Sequence, residues 1–289
     1  MKKRSFVRKA GLLLVSAILL FSVTACGSKF MGEGDILSDV TATGVINLSY
    51  VLNEQQGGAT VEKRYQVEIA YELYYDEAPI TVTNFVSLVQ SGFYNAPEGF
   101  DPFDTNAFPA DDEKQTSALF VNSVSATDGI RLGDAYFEFV TDEPTDDVPD
   151  PEPVDTLLYR SDLDGAYRIP GEFAENGWEV EDRQITAFTA GVMYMTQDTG
   201  AENPADSAYS EFGIVGDLAS DTMIDNYAAF GRVTSVTVRE VGGSSRTYTF
   251  GNWLDTITSA NTSSRSINNI SLMEITVNVN KDLGSPKTV

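Results

Sequence analysis

The side chains that most often carry enzymatic chemistry are nearly absent from this chain. Its 289 residues include no histidine and a single cysteine, Cys26. A Ser-His-Asp or Cys-His triad therefore cannot form, and a zinc site built from these ligands is excluded from the body of the chain. One cysteine also forms no intramolecular disulfide. Catalysis would have to use hydroxyl, amide, carboxylate or arginine groups, and we expect no metal and no cofactor.

The charge balance narrows the classes of partner. Lysine and arginine number 19 against 43 aspartates and glutamates, so the formal net charge is −24. Nucleic-acid binding needs a basic face that neutralises phosphates, so we expect no nucleic-acid partner. A hydrophobic content of 42% is typical of a globular protein, and the length allows one large or two small domains.

The N-terminus has the pattern of a targeting segment. Five basic side chains precede the apolar run Gly11 to Phe21, which is too short for a bilayer-spanning helix of about 20 residues and is typical of a signal peptide. The following residues, Val23-Thr24-Ala25-Cys26-Gly27, resemble the lipobox of bacterial lipoproteins. The resemblance implies that Cys26 is lipidated after cleavage. The alternative is a buried structural cysteine behind an ordinary signal peptide.

Cleavage would make the protein more acidic. Residues 1–25 carry five basic side chains and no acidic one, so the mature chain keeps 19 − 5 = 14 basic groups against 43 acidic groups. Anionic lipid should repel such a surface. We therefore predict contact with the cell membrane through the lipid on Cys26, on the extracytoplasmic face, with residues 26–44 as a tether.

One acidic loop stands out in the mature chain. Residues 141–155 hold four prolines and seven carboxylates, so they should form a solvated, extended loop. A calcium site is the functional alternative, because calcium takes oxygen ligands. The prolines and the lack of a glycine turn argue against it.

Hydrophobic periodicity predicts a mostly β chain with one or two helices. Residues 45–52 indicate a strand, 53–58 a turn, and the alternation over 67–75 a half-buried strand. Val82, Phe85, Val86 and Val89 form a helical apolar stripe. Strand candidates follow at 119–124, 136–140 and 272–279, with a hairpin at 236–250 and the start of a short helix at 253–257. Further apolar segments lie at 192–195, 212–215 and 228–233. These short strands suggest an antiparallel sandwich or barrel.

Residues 77–94 carry a specific resemblance. EAPITVTNFVSLVQSGFY resembles the opening of the cyclophilin family, E-x-A-P-x-T-V-x-N-F-x-x-L followed by a helix that ends in S-G-x-Y. Further pieces that resemble family segments follow in family order, at 167–173, 190–195, 206–214, 226–233 and 272–277. The resemblance implies an eight-stranded antiparallel barrel closed by two helices over 45–280, with insertions at about 95–118, 141–166 and 236–252 and a tail at 281–289.

The activity implied by this resemblance is peptidyl-prolyl cis-trans isomerisation. The X-Pro amide must lose resonance against a barrier of about 18–20 kcal/mol. An apolar pocket, hydrogen bonds to the twisted amide and a donor to the prolyl nitrogen suffice, so the missing histidine does not exclude it. The expected substrates are X-Pro segments of exported proteins, and we expect a monomer.

The site segments depart from the family pattern. Either alignment of residues 120–134 places Ser123 or Asn122 where the family has its catalytic arginine. Arg131, which replaces a glutamine, is the one cation nearby and is our candidate catalytic donor. The alternative is that Arg131 only pairs with Glu211.

Substrate-binding positions carried over from the resemblance are also altered. In the family's proline pocket, Gly129 replaces one of two apolar wall residues and Gly213 replaces a phenylalanine. Met223 takes the position of the pocket leucine. The substitute-donor hypothesis requires Arg131 to face a cleft lined by Met195, Phe212 and Tyr227. The full predicted set is Phe120, Gly129, Met195, Thr196, Gln197, Glu211, Phe212, Met223 and Tyr227.

Three functions stay open at this point. The first is a lipid-anchored foldase with a degenerate isomerase site. The second is a catalytically inactive module that uses the same scaffold to bind an extended peptide or a protein partner. The third is a glycan- or cation-binding surface protein built on the acidic loops.

Overall fold

A computed structural model describes residues 31, 35–96, 100–103, 121, 123–133, 168–180, 182–197, 201–217, 223–260, 265–267 and 270–287. Within these ranges lie ten strands and three α-helices. The strands are β1 (Ala42–Gln56), β2 (Ala59–Leu73), β3 (Ser123–Ser125), β4 (Gly129–Leu132), β5 (Val192–Met195), β6 (Phe212–Ile214), β7 (Ala229–Glu240), β8 (Ser245–Tyr248), β9 (Arg265–Ile267) and β10 (Ser271–Val279). The helices are α1 (Pro79–Gln90), α2 (Met223–Asn226) and α3 (Phe250–Thr258).

All strand pairs form one antiparallel sheet. Eight strands follow the order β10-β1-β2-β7-β5-β6-β4-β3, while β8 pairs with β7 and β9 pairs with β1. The two ends of this path meet, because the Val121 N–H donates to the Ile270 carbonyl at 3.1 Å just before β3 and β10 begin. The predicted mostly β, antiparallel fold with helices is confirmed, with two short strands beside the eight-stranded path.

A long hairpin forms the first part of the sheet. β1 and β2 pair without interruption from Ala42–Leu73 to Gln56–Ala59. The connection is only Gly57-Gly58, with φ of 61° and 86°. A two-residue turn that follows the twist of the strands needs positive φ at both positions, which glycine adopts without strain. The turn predicted over 53–58 is therefore shorter than expected, since Asn53 to Gln56 continue the strand.

The first helix is capped by a distant carboxylate. Pro79 lies in the first turn of α1, but Ala78 offers no side chain to cap it. Instead, the Ile80 and Thr81 N–H groups donate to the Glu172 carboxylate at 2.9 and 2.7 Å. Glu172 is 3% exposed. The segment around Glu172 is thereby tied to α1, and two helix N–H groups without intrahelical partners are satisfied.

Aromatic side chains fill the core inside the curled sheet. Phe85 of α1 is fully buried. Its ring centroid lies 5.1 to 5.9 Å from those of Phe212, Phe230, Tyr94 and Tyr71. Edge-to-face contacts at these distances are favourable beyond simple burial. Trp253, Leu254 and Ile257 of α3 join the same core.

The two ends of the described domain lie side by side. The Thr41 N–H donates to Asn280 Oδ1 at 2.9 Å, and Lys287 forms an ion pair with Asp35 at 2.8 Å. Among the described residues, no helix is long and apolar enough to cross a membrane. Cys26, Phe120, the strand predicted at 136–140 and the acidic loop 141–155 lie outside the described residues.

Candidate functional site

Arg131 projects from the outer face of the sheet. It lies on β4 between Ile130 and Leu132, which are buried in the core. Because side chains alternate along a strand, the Arg131 side chain points the other way and is exposed. Across the ladder Arg131 pairs with Gly213 of β6, and Gly213 also pairs with Tyr194 of β5. The outer surface of these three strands is the candidate site.

Gly213 makes room for the ring of Tyr194. A Cβ built on Gly213 would overlap Cε1 and Cζ of the Tyr194 ring. The ring therefore lies across β6, and its hydroxyl is hydrogen-bonded to the Arg131 guanidinium. The tyrosine covers the surface that a larger residue at position 213 would occupy.

Glu211 is held beside this pair. The Thr196 hydroxyl donates to Glu211 Oε2 at 2.8 Å and lies 2.9 Å from the Glu211 carbonyl oxygen. The Thr196 N–H also donates to that carbonyl at 3.1 Å. The carboxylate is thus fixed in position at the start of β6, and its charge attracts the Arg131 guanidinium.

The electrostatics keep Arg131 charged. Partial burial acts to lower the pKa of Arg131, but Tyr194 and Glu211 outweigh it and the pKa is raised. Burial raises the pKa of Tyr194, against the lowering effect of Arg131. At neutral pH the pair is therefore a permanent cation beside a neutral phenol.

Tyr227 completes an aromatic wall. Its ring meets that of Tyr194 edge-on at 5.5 Å between centroids, and Tyr194 in turn contacts Phe188 at 5.6 Å. Next to Tyr227, Gln197 Nε2 donates to the Asn226 carbonyl at 2.6 Å, so Gln197 fixes the backbone there. We call Arg131, Tyr194, Thr196, Glu211 and Tyr227 the outer-face cluster.

Two predicted site residues lie on the opposite face. Met195 and Phe212 are 1% and 0% exposed and belong to the core. They do not line a cleft with Arg131, because they precede or follow outward-facing residues on strands where side chains alternate. Of the three residues required for that cleft, only Tyr227 lies near Arg131.

The remaining predicted residues contribute backbone or cannot be placed. Gly129 has φ of 94°, and a Cβ there would overlap the Ile214 carbonyl oxygen, so its role is close backbone packing. Met223 begins α2, but its side chain is outside what the structure describes, as is all of Phe120. Among the described residues no group of three His, Cys, Asp or Glu side chains could hold a metal ion.

Tyr194 is the site residue that the sequence reasoning missed. The signal was present in the alternation of β5, where Met193 and Met195 face the main core and Val192 and Tyr194 face a second, smaller buried cluster on the other side of the sheet. The accessible part of the outer-face cluster is the exposed Arg131 together with the partly exposed Glu211 and Tyr227, whereas Tyr194 and Thr196 are buried behind them. Such a surface can hold a carbonyl oxygen and a flat apolar ring, but it contains no nucleophile activated by a base.

Comparison with known proteins adds a sequence match to this geometry. Residues 59–100 match the family model described as cyclophilin type peptidyl-prolyl cis-trans isomerase/CLD. The match spans β2 and α1 and includes no residue of the outer-face cluster. No curated protein sequence matches the chain.

Several solved cyclophilins overlap this chain at low similarity. A cyclophilin type peptidyl-prolyl cis-trans isomerase from Cryptosporidium parvum is 14% identical and covers 82% of this chain and 99% of its own, with a TM-score of 0.38. The Mimivirus cyclophilin is 14% identical, and the alignment covers 81% of this chain and 89% of the viral protein, with a TM-score of 0.37. A Hirschia baltica cyclophilin is 14% identical, and the alignment covers 80% of this chain and 76% of that protein, with a TM-score of 0.34. Overlaps this low do not identify an activity.

Proposed function

We propose that the protein is a cyclophilin-type peptidyl-prolyl cis-trans isomerase with an altered active site centred on Arg131. The match of residues 59–100 to the family model supports the family. The observation that carries the site is the exposed Arg131 guanidinium, which is hydrogen-bonded to the Tyr194 phenol and attracted by the Glu211 carboxylate. A cation with these neighbours is a charged donor that is present before a substrate arrives.

The proposed mechanism needs only binding and hydrogen bonding. Twisting an X-Pro amide removes its resonance and leaves a lone pair on the prolyl nitrogen, against a barrier of about 18–20 kcal/mol. Arg131 donates to the substrate amide as it twists, and the charge of Glu211 keeps the guanidinium protonated. The ring of Tyr227, which is partly exposed, provides apolar surface for the proline ring. The donor accelerates the reaction to the extent that it binds the twisted amide more tightly than the planar one.

The proposed setting is outside the cytoplasm. Lipidation of Cys26 would tether residues 45–280 at the cell membrane, where X-Pro segments of exported proteins are the substrates. Uncatalysed X-Pro isomerisation takes tens to hundreds of seconds, so an isomerase is useful to exported chains that fold there. Labelling with a radioactive fatty acid should mark the wild-type chain and not Cys26→Ser. Equal labelling of both would refute the anchor.

The second candidate is a binding module without catalysis. It is favoured by Tyr194, whose hydroxyl already takes a hydrogen bond from Arg131 and whose ring covers Gly213. In this reading Arg131 serves to hold Tyr194 in position, and an extended peptide only docks beside it.

A protease-coupled assay with a panel of X-Pro peptides separates the two. Catalysis predicts acceleration that is lost in Arg131→Ala and partly kept in Arg131→Lys, which retains the charge but not the planar fork. Arg239→Gln is the matched control, since Arg239 is exposed on β7 and pairs with Glu68 at 3.7 Å. No acceleration by the wild type for any residue before proline would refute catalysis. Peptide binding without acceleration would support the second candidate.

A further inference from the structure

A second cavity lies away from the outer-face cluster, between the β1–β2 hairpin, the β7–β8 hairpin, α3 and β9. Its volume is about 330 Å³, and no residue of the outer-face cluster lines it. This volume is at the lower end of the range for small-molecule sites, about 300–1,000 Å³. We call it the α3 cavity.

Three tyrosines converge on the α3 cavity. The rings of Tyr50 and Tyr65 stack at 5.0 Å between centroids, and Tyr248 lines the same space. Burial raises the pKa of Tyr50, and the nearby Tyr65 and Tyr248 hydroxyls raise it further. Within the described residues none of the three hydroxyls has a hydrogen-bond partner. The three rings line one open space, so hydroxyls that reach it can donate to a ligand.

The indole of Trp253 adds a fourth polar group without a partner. Trp253 lines the cavity from α3 and is 1% exposed. Its Nε1 is buried and has no hydrogen-bond partner among the described residues. By contrast, Nε1 of Trp178 donates to the Glu77 carbonyl at 2.8 Å. Buried indole N–H groups normally find an acceptor, so this part of the cavity wall keeps an unused donor just behind its surface, and the indole signal reports changes in the wall.

The charge at the cavity is opposite to that of the whole protein. Its lining includes Lys63, Arg246 and Arg265 but only one acid, Glu240, which gives +3 − 1 = +2. Glu54, beside the cavity, pairs with Lys63 and Arg265 at 2.8 Å each and lowers this to +1. The whole chain carries −24. Arg246 is exposed and has no ion-pair partner within the described residues. A local excess of cations in an acidic protein favours an anionic ligand.

We propose that the α3 cavity binds a small organic anion in which a carboxylate is carried on an aromatic or branched apolar body. The carboxylate takes hydrogen bonds from Arg246 and from the tyrosine hydroxyls at the cavity mouth. The apolar body packs on the rings of Tyr50, Tyr65 and Trp253. Two sources share this chemistry, a free amino-acid-like acid and the C-terminal residue of a peptide.

The test follows the Trp253 indole N–H in proton–nitrogen correlation spectra of the isotope-labelled chain. Two tryptophans give two indole signals, which Trp178→Phe assigns. We expect N-acetyl-L-phenylalanine to shift the Trp253 signal and leave that of Trp178 in place. N-acetyl-L-phenylalaninamide, which lacks the charge, and acetate, which lacks the ring, should shift it at least tenfold less at equal concentration. A hexapeptide that ends in phenylalanine distinguishes the two sources.

Matched variants make the result specific. Arg246→Gln should weaken binding of the acid about tenfold, as expected for one lost charge-assisted hydrogen bond, and Tyr248→Phe should weaken it less. Arg239→Gln, on the same strand pair but outside the cavity, should leave binding unchanged. The proposal is overturned if neither the acid nor the hexapeptide shifts the signal at 10 mM, if the amide binds as tightly, or if a neutral disaccharide binds instead. Unfolding curves of each variant verify that it is folded.

Discussion

The segment over β2 and α1 and the outer-face cluster differ in sequence match and in packing. Residues 59–100 match a family model, and their apolar side chains are packed inside the sheet, where a change of one methylene group alters stability. The outer-face cluster lies outside that match, and it mixes the exposed Arg131 and the partly exposed Glu211 and Tyr227 with two buried residues, Tyr194 and Thr196. The contrast teaches that the sequence match lies in the packed part of the chain and does not reach the polar residues around Arg131.

The largest expected effect is in the packed region. Phe85→Ala removes a fully buried ring that contacts four others. We expect the free energy of unfolding to fall by about 4 kcal/mol, since removal of a buried phenylalanine leaves a cavity. Urea unfolding measures this. Val241→Ala, at a 50% exposed position, is the control and should change stability by less than about 0.5 kcal/mol. Equal effects would mean that the two regions do not differ in packing.

The next effect depends on pH. Burial raises the pKa of Glu172 from 4.5 to about 7, against the hydrogen bonds from Ile80 and Thr81. A folded-state pKa above the unfolded value means that this group's stabilising contribution is present below pH 4.5 and is lost as the pH rises through 7. The unfolding free energy of the wild type minus that of Glu172→Gln should therefore fall by about 3 kcal/mol between pH 4.5 and 8.

The control for this pH profile is nearby in the chain. Glu175 lies three residues further on and is exposed. The difference between the wild type and Glu175→Gln should stay flat over the same pH range. A flat profile for Glu172→Gln as well would show that the α1 cap does not titrate there.

At the site, Gly213→Ala tests the space that Tyr194 occupies. The new Cβ would overlap the tyrosine ring, so we expect a loss of about 2 kcal/mol, typical of overpacking, together with displacement of the ring from Arg131. Thermal unfolding and the Tyr194 ring signals report the two effects. Gly251→Ala is the control, because its Cβ would make an ordinary 3.6 Å contact with Ala190. A stable Gly213→Ala with an unmoved ring would contradict the proposed packing.

The smallest expected effect comes from Tyr194→Phe. It removes only the hydroxyl that takes the Arg131 hydrogen bond, and because Arg131 is exposed we expect a loss of about 0.5–1 kcal/mol. Chemical unfolding measures this loss. The Tyr194 hydroxyl competes with a bound peptide for the Arg131 donor. If isomerisation uses Arg131, Tyr194→Phe should therefore bind the peptide more tightly than the wild type. Weaker binding would mean that the Tyr194 hydroxyl itself contacts the peptide.

Much of the scaffold could be predicted from the sequence. The apolar stripe of α1, the alternation in β2 and β10 and the β7–β8 hairpin each follow from a period or a turn signal. The end of β1 was wrong by four residues, since the pairing of Asn53 to Gln56 depends on β2 and not on local propensity. Capping of α1 by Glu172 joins residues more than 90 positions apart, which no local pattern shows.

The site was harder to predict for a physical reason. A resemblance in sequence shows which residue stands at a position but not where its side chain points. Met195 and Phe212 were therefore included in the predicted site, although both face the core. Tyr194 acts across two strands through the missing side chain of Gly213. Such a contact exists only once β4, β6 and β5 are paired in this register.

The most direct test of Arg131 is exchange spectroscopy on one X-Pro peptide with the intact domain. The wild type should perturb the peptide signals and give cis–trans exchange cross-peaks at mixing times below one second, whereas the uncatalysed exchange takes tens of seconds or longer. Arg131→Gln should keep most of the perturbation and lose the cross-peaks. Cross-peaks of equal intensity in both proteins would contradict the central role of Arg131.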